Sequence, residues 1–336
     1  MNQEGSDPPR QPNNYQQLLR ICMANAEYEG PTRTDHVTST SEDRQWLAEA
    51  LQGLTSDIIN EMMECIDVIK KGLIEIESSD QECISQETID EIEGAIDALI
   101  DHTGSIDNAS DFYKIGGFDL FPLLFSVPSN TLIAKTAELL AEIVQNHKEC
   151  QKHAIQFNLL ETLVKLLDTS KDDNVKIKSL YAISCMIRDN EQAQDAFENK
   201  LDGFSVLLKA IQTSDGTSGE HKLRIKASFL INSLCRQRPA FREVLHNMGF
   251  VELLIVLLHN QHDSSHEHLL AALHSLVTQH DPSRIQCQRD EYGLEKLLKD
   301  RIELVKGKSE FLEEEEYCKE ILQYCFGEDE FPETER

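Results

Sequence analysis

Gly249-Phe-Val-Glu-Leu-Leu-Ile has three near copies along the chain: Asn158-Leu-Leu-Glu-Thr-Leu-Val, Gly203-Phe-Ser-Val-Leu-Leu-Lys and Gly293-Leu-Glu-Lys-Leu-Leu-Lys. Each opens on Gly or Asn and runs into an apolar helix, and successive starts lie 45, 46 and 44 residues apart. A weaker version, Gly117-Phe-Asp-Leu-Phe-Pro-Leu-Leu, begins 41 residues before the first. A unit of this size cannot bury its apolar face alone, so units at this spacing stack on one another, as HEAT and armadillo repeats do. The opening residue has a local task. A turn between successive helices needs a left-handed backbone, which Gly adopts freely and Asn tolerates.

A second, longer helix follows each apolar one. The copies read AKTAELLAEIVQN from Ala134, KIKSLYAISCMIRDN from Lys176, RIKASFLINSLCRQ from Arg224 and EHLLAALHSLVTQ from Glu267. Leu140, Ile183, Ile231 and Leu273 share one inward register position, and Ile143, Met186, Leu234 and Leu276 the next turn. Pro128, Pro239 and Pro282 fall between helices, where they interrupt no ladder, and Pro122 falls in a first turn. The pattern predicts an all-α chain: a right-handed armadillo-repeat superhelix, an α-solenoid over residues 41–326 with capping helices at both ends. Its units are placed at about 88–131, 132–174, 175–222, 223–265 and 266–326, with the amphipathic stretch from Glu303 to Phe326 as the C-terminal cap.

Composition agrees and narrows the partners. Only 15 Gly and 9 Pro occur in 336 residues, which favours helices. Acidic side chains number 60 against 32 basic ones, a formal net charge of −28 that repels phosphate backbones and anionic headgroups. Neither nucleic acid nor a membrane surface is therefore expected as a partner. No stretch approaches the roughly 20 apolar residues that cross a bilayer, and MNQEGSDPPRQPNN lacks a signal peptide's apolar core, so a cytoplasmic or nuclear location is expected. The 9 cysteines are odd in number and form no C-x-x-C pair, which fits reduced thiols filling helix faces.

At the ends, residues 1–40 read as a disordered tail with a short amphipathic helix near 15–27, where Leu18, Leu19, Cys22 and Met23 form one stripe. Such a tethered stripe either docks on its own domain or engages a partner. Ser41, followed by Glu42 and Asp43, opens the folded body as a capped helix, and a further acidic helix runs from Ile58 to Ile76. Residues 327–336 read as an acidic disordered tail.

In armadillo units the third helix lines the inside of the curve, where solenoids bind their partners. The residues two before and two after the first buried Leu or Ile are read as facing this groove: Glu138 and Glu142, Tyr181 and Cys185, Phe229 and Ser233, Ala271 and Ser275. Arg188 and Arg236 fall one turn further, near the lip. Tyr, Phe and Arg are the usual interface anchors. Peptide-binding armadillo proteins carry an Asn ladder where this chain has Glu142, Cys185, Ser233 and Ser275, so a folded domain is expected here rather than an extended peptide.

No G-x-x-x-x-G-K-[ST], G-x-G-x-x-G, G-x-S-x-G or H-E-x-x-H occurs, so no catalytic residue is assigned and no cofactor is expected. His259, His262, His266 and His268 crowd HNQHDSSHEH, but His262 and His266 share a face only if a helix runs through Asp263-Ser-Ser. Ser264 or Ser265 reads instead as a helix start, which makes the stretch a solvated histidine loop and not a metal site. Cys318 and Cys325 read as a helix seam.

The segments RQWLAEAL, SIDNASDFYKIGG, KIKSLYAISCMIRDNEQAQDAFENKLDGFSVLLKAIQ, HEHLLAALHSLVT and YGLEKLLKDR, in that order between Arg44 and Phe326, resemble the Fes-type heat-shock protein 70 binding proteins, armadillo nucleotide exchange factors of the cytosolic chaperones. The resemblance implies a monomeric co-chaperone and not an enzyme. In that family the concave face wraps one lobe of the chaperone's nucleotide-binding domain and forces the lobes apart, so that ADP leaves. It carries the groove contact onto Tyr181, Arg188 and Phe229, with Glu142, Ser233 and Arg236 flanking; Arg236 stands where some members hold an apolar residue. Asp107, Asn108 and Ala109 match the family's D-N-A turn at the near end of the solenoid, as an edge contact or a turn of the chain. YQQLLRICMANAE is similar to a short N-terminal segment held to assist substrate release. The alternative is an armadillo scaffold or adaptor that binds another folded protein or a peptide without exchange activity.

Overall fold

The structure, a computed structural model, describes residues 41–78, 85–212 and 218–327, with backbone alone for 41–56. The tail over 1–40, with Leu18, Leu19, Cys22 and Met23, and residues 328–336 lie outside the described residues. Every regular element among the described residues is a helix. Helix α1 (Ser41–Ser78) packs along α2 (Gln86–Thr103) and closes the N-terminal end. The two N-terminal helices read from the sequence are one helix of 38 residues. Gly53 near their junction is the only Gly or Pro between Ser41 and Lys71, and one Gly costs a helix only about 1 kcal/mol.

Three-helix units follow. They are α3 (Ile106–Lys114), α4 (Leu120–Leu124) and α5 (Asn130–Val144); α6 (Lys148–Gln156), α7 (Leu159–Thr169) and α8 (Asp173–Ile187); α9 (Glu191–Asn199), α10 (Gly203–Gln212) and α11 (Ser218–Gln237). The array ends with α12 (Phe241–Asn247), α13 (Phe250–Leu258) and α14 (His266–Val277), then α15 (Asp281–Cys287), α16 (Leu294–Val305) and α17 (Leu312–Phe326). The third helix is the longest in each unit. These long helices stand side by side in the order α2, α5, α8, α11, α14, α17 as one wall. The unit limits set at 132, 175, 223 and 266 cut the same array at its long helices, whereas the chain turns into each unit through a short one. The Glu303–Phe326 stretch holds the end of α16 and all of α17, the long helix of the last unit.

Packing follows the aligned register. Leu140, Ile183, Ile231 and Leu273 are fully buried, as are Ile143, Met186, Leu234 and Leu276 one turn on. Each contributes about 1.5–3 kcal/mol of apolar burial, and only the neighbouring unit makes that burial possible. Phe204 links two units, 5.6 Å from Phe197 and 5.1 Å from Phe241 between ring centres.

The turns correct one expectation. Asn158, Gly249 and Gly293 take the left-handed backbone, with φ of 54°, 84° and 54°. In the other two units that conformation falls one residue earlier, on Gly116 (φ 83°) and Asp202 (φ 50°). Gly117 and Gly203 have a different reason to be glycine. A Cβ there would collide with the rings of Phe112 and Phe197, so each lets an aromatic side chain lie against bare backbone.

A second turn recurs after the long helices. Asn146, Asp189 and Gln279 have φ of 56°, 54° and 53°, and the residue after each, His147, Asn190 or His280, caps the next short helix by accepting a backbone N–H. The carbonyls at the ends of the long helices lack partners within their own helices. Side chains near the short helices supply them: Gln151 Nε2 donates to Cys185 O at 2.9 Å, Arg242 Nε to Ser275 O at 2.9 Å and Gln288 Nε2 to Cys325 O at 2.5 Å.

Candidate functional site: a laced wall of long helices

The side chains on the long-helix wall reach from each helix back to the one before. Lys135 Nζ on α5 lies 2.5 Å from Asp97 on α2, and Lys178 Nζ on α8 lies 2.5 Å from Glu138 on α5. Lys226 on α11 sits with Nζ 4.8 Å from the ring centre of Tyr181 on α8. These three lysines occupy one register position, three residues before Glu138, Tyr181 and Phe229. The sequence reading missed them because it looked only either side of the buried Leu and Ile; the same alignment, moved back by one turn, shows them.

Aromatic and guanidinium groups surround the lysines. Tyr181 Oη donates to Glu142 Oε1 at 3.0 Å, and the Arg188 guanidinium lies 5.9 Å from the ring centre of Phe229. Phe229 is 48% exposed, the one large aromatic left so open among the described residues. Arg236 is exposed, while Glu138, Glu142, Arg188 and Ser233 are half-buried. Gln237 Nε2 donates to Ser233 Oγ at 3.3 Å. The cation over a ring and the hydroxyl on a carboxylate hold the groups ready without consuming the outer face of Phe229.

Cys185 and Ser275 do not face the groove. They are 2% and 3% exposed and form its floor. Both are too small to rise past their neighbours: Tyr181 and Arg188 cover Cys185, and the Ser275 hydroxyl donates to Ala272 O at 2.8 Å. Ala271 is buried as well. Burial pushes the Cys185 thiol up despite Arg188 beside it, so it stays protonated. Burial, then the neighbouring Cys185 and the bond to Glu142, pushes the Tyr181 hydroxyl well above its ordinary value of 10.0, which keeps it a neutral donor. Burial, then repulsion from Lys178, lowers Lys226 from 10.5.

Asp107, Asn108 and Ala109 open α3. Asn108 Nδ2 donates to His102 O at 2.7 Å, tying α3 to the end of α2, and Ala109 is buried with its carbonyl 3.7 Å from the Cys150 thiol. Only Asp107 of the three is exposed.

The histidine stretch is not a solvated loop. α14 begins at His266, as the serine signal required, yet His266 is fully buried and its ring lies 5.1 Å from that of His262. His266 Nδ1 lies 3.2 Å from Asp263, and His262 Nε2 lies 3.0 Å from the buried Glu314 of α17. The His262–Glu314 contact clasps the last two units together. Among the described residues no group of three or more His, Cys, Asp or Glu is placed to hold a metal ion.

An open aromatic ring flanked by cations over a sealed floor suits docking of a protein surface. Comparison with known proteins agrees on fold and family. Residues 108–244 match the SIL1/FES1/HPBP1 C-terminal domain, and residues 15–112 match the family described as nucleotide exchange factor Fes1. The chain is 33% identical over 326 residues to Hsp70-binding protein 1 of Mus musculus, covering 96% of this chain and 88% of that protein. It is 32% identical over 322 residues to Hsp70-binding protein 1 of Homo sapiens, covering 95% and 87%. The Hsp70 nucleotide exchange factor FES1 of Mycosarcoma maydis is 31% identical over 134 residues, 40% of this chain and 33% of that protein. Among solved structures, the designed armadillo repeat protein YIII(Dq)4CqI superposes with a TM-score of 0.58 at 19% identity, over 76% of this chain and 98% of the other, and SYS-1 with 0.59 at 14% identity, over 80% and 53%. The likeness to the designed armadillo repeat protein fixes the architecture as an armadillo-type α-solenoid. The chain belongs to the SIL1/FES1/HPBP1 family, whose members include the Hsp70-binding proteins 1.

Proposed function

We propose that this chain is a co-chaperone, a nucleotide exchange factor that docks the nucleotide-binding domain of a cytosolic heat-shock protein 70 against its long-helix wall and speeds the release of ADP. The exchange activity is inferred from relatives named Hsp70-binding protein 1 and Hsp70 nucleotide exchange factor FES1, one of them 33% identical over 96% of this chain. Phe229 carries the assignment of the surface: it is half-exposed, with Arg188 over one side of its ring, and it is the one exposed aromatic among the described residues of the wall.

The mechanism needs no covalent step. A protein that binds the open form of a two-lobed ATPase better than the closed form weakens nucleotide affinity by the factor by which nucleotide weakens its own binding. A coupling of about 3 kcal/mol corresponds to a change of about 150-fold. A stiff wall suits this work, because the pairs lacing α2 to α5, α5 to α8 and α8 to α11 resist bending when a lobe is pressed against them. We place the chain in the cytosol and assign it the monomeric state.

The test is a release assay. The chaperone's nucleotide-binding domain is loaded with fluorescent ADP, mixed with excess unlabelled ATP and followed by stopped flow with rising amounts of this protein. Release accelerates to a plateau if the proposal holds. A rate that stays at its basal value at saturating protein rejects it.

A further inference from the structure

The first unit ends differently from those after it. In the second, Gln151, the fourth residue of the short helix α6, donates to the Cys185 carbonyl near the end of α8. Arg242 and Gln288 serve Ser275 on α14 and Cys325 on α17 in the same way. The fourth residue of α3 is Ala109, which carries no side-chain donor. Glu142 stands four residues before the left-handed Asn146, as Cys185 does before Asp189, yet no side chain among the described residues donates to its carbonyl or to that of Ile143. A cavity of about 190 Å³ lies there instead, lined by Thr103 and Gly104 at the end of α2, by Ala109, and by Glu142, Ile143 and Asn146 at the end of α5.

Its lining favours a cation. The carboxyl-terminal ends of α2 and α5, helices of 18 and 15 residues, meet at it, and each such end carries a partial negative charge and carbonyls without helical partners. Glu142 adds a full charge. Its Oε1 accepts the Tyr181 hydroxyl, and its other oxygen can accept a further donor. The one basic side chain on the lining, His147, is engaged elsewhere: Nδ1 accepts the Cys150 N–H and Nε2 lies 2.8 Å from Ser110 Oγ. On the lip, where α8 and α11 carry Arg188 and Arg236, α5 carries the neutral Gln145. A guanidinium suits such a set of acceptors better than an ammonium, because its N–H donors lie in a fixed planar fork that meets a carboxylate and a carbonyl together.

We propose, on the reading that a chaperone domain docks against the wall, that this cavity receives one arginine side chain of that domain. The guanidinium bonds the Glu142 carboxylate and the carbonyls at the end of α5, the task that Gln151 and Arg242 perform within later units. Together with Arg188 and Lys226 in the middle of the wall, the cavity orients the partner: carboxylates toward α8 and α11, a basic side chain toward α3.

The first measurement uses no chaperone. N-acetylarginine amide is titrated into the full chain, beside sodium chloride at equal ionic strength, and the methyl resonances of Ile106 and Ile143 on the cavity are followed by NMR. They should shift to saturation with the arginine probe alone. Glu142→Gln, which keeps an acceptor for Tyr181, should weaken the probe at least about threefold, and Ala109→Gln, which supplies an internal donor, should abolish the response. Shifts no larger than those from sodium chloride, or unchanged probe binding in both variants, would overturn the proposal. The second measurement is affinity for the chaperone's nucleotide-binding domain, which Ala109→Gln should lower about tenfold and Glu142→Gln at least about threefold. Full affinity in both variants, or no binding by the unaltered chain, would overturn it too. Binding without faster release of ADP would instead sink exchange alone.

Discussion

The middle of the long-helix wall and its C-terminal end are built from the same register positions, yet one is open and the other is closed on itself. In the middle, Tyr181 meets Glu142 and Lys226, Arg188 meets Phe229, and all four side chains keep a face toward solvent. At the end, His274 lies 5.5 Å from the rings of both Tyr317 and Tyr324, with Nε2 2.9 Å from Glu320, and the position of Tyr181 and Phe229 is taken by the buried Ala271. Register decides which way a residue points. What it meets there is decided by the next helix, and α17 supplies two aromatic rings that α11 does not.

The largest effect should follow from reversing the open part. Phe229→Glu or Arg188→Glu is expected to weaken binding to the chaperone's nucleotide-binding domain by about 2–4 kcal/mol, the range of interface anchors, with helicity unchanged by circular dichroism. Tyr324→Ser at the closed end should do the opposite. It should lower stability in urea by about 1–3 kcal/mol and leave affinity within about twofold. If Tyr324→Ser proved the stronger binding defect, the contrast between the two regions would collapse.

Lys226 sharpens the contrast, because its cation is held at a cost. Its folded pKa lies below the unfolded value of 10.5, through burial first and Lys178 second, so the charged form is disfavoured in the fold. Stability should therefore rise as pH climbs through the lowered pKa toward 10.5, and Lys226→Met should abolish that rise without destabilising the protein at neutral pH. The same variant should weaken partner binding by about 1–2 kcal/mol. Thermal melts between pH 8 and 10.5 beside a binding titration separate the two readouts.

Acid should loosen the closed end first. His266 and His274 both lie on α14, and both are lowered from 6.5, by burial before any charge. The positive neighbours Arg301 and His262 oppose Asp263 at His266, while Arg236 and Arg242 oppose Glu320 and Glu316 at His274. A histidine with a depressed folded pKa contributes stability that is complete above its unfolded value and lost as pH falls below about 6.5. Hydrogen exchange at descending pH should show α13 to α17 losing protection before α5, α8 and α11; simultaneous loss would remove the distinction. The smallest effect is expected for Tyr181→Phe, which deletes the bond to Glu142 and should cost about 0.5–1.5 kcal/mol of stability in denaturant.

The sequence made the array legible because burial repeats: Leu140, Ile183, Ile231 and Leu273 mark one position four times, and chance does not align them at a spacing near 45 residues. The turns were half legible. Asn158 and Gly249 announce a left-handed residue, but Asp202, Asp189 and Gln279 do not, since position in the turn and not residue type imposes their φ. Gly117 and Gly203 were identified as special for the wrong reason, because the ring that requires them lies five or six residues earlier in the chain. For the candidate site, aromatic and arginine positions follow from register. The floor residues Cys185 and Ser275 and the buried His266 do not, because their exposure depends on side chains of adjacent helices that no single-helix pattern contains.

The most direct measurement is hydroxyl-radical footprinting of the full chain, alone and saturated with the chaperone's nucleotide-binding domain. Docking on the middle of the wall predicts that oxidation of Phe229 and Tyr181 slows several-fold while Tyr324 and the outward-facing Leu304 react at unchanged rates. Unchanged Phe229 together with protection at Leu304 or Tyr324 would contradict it.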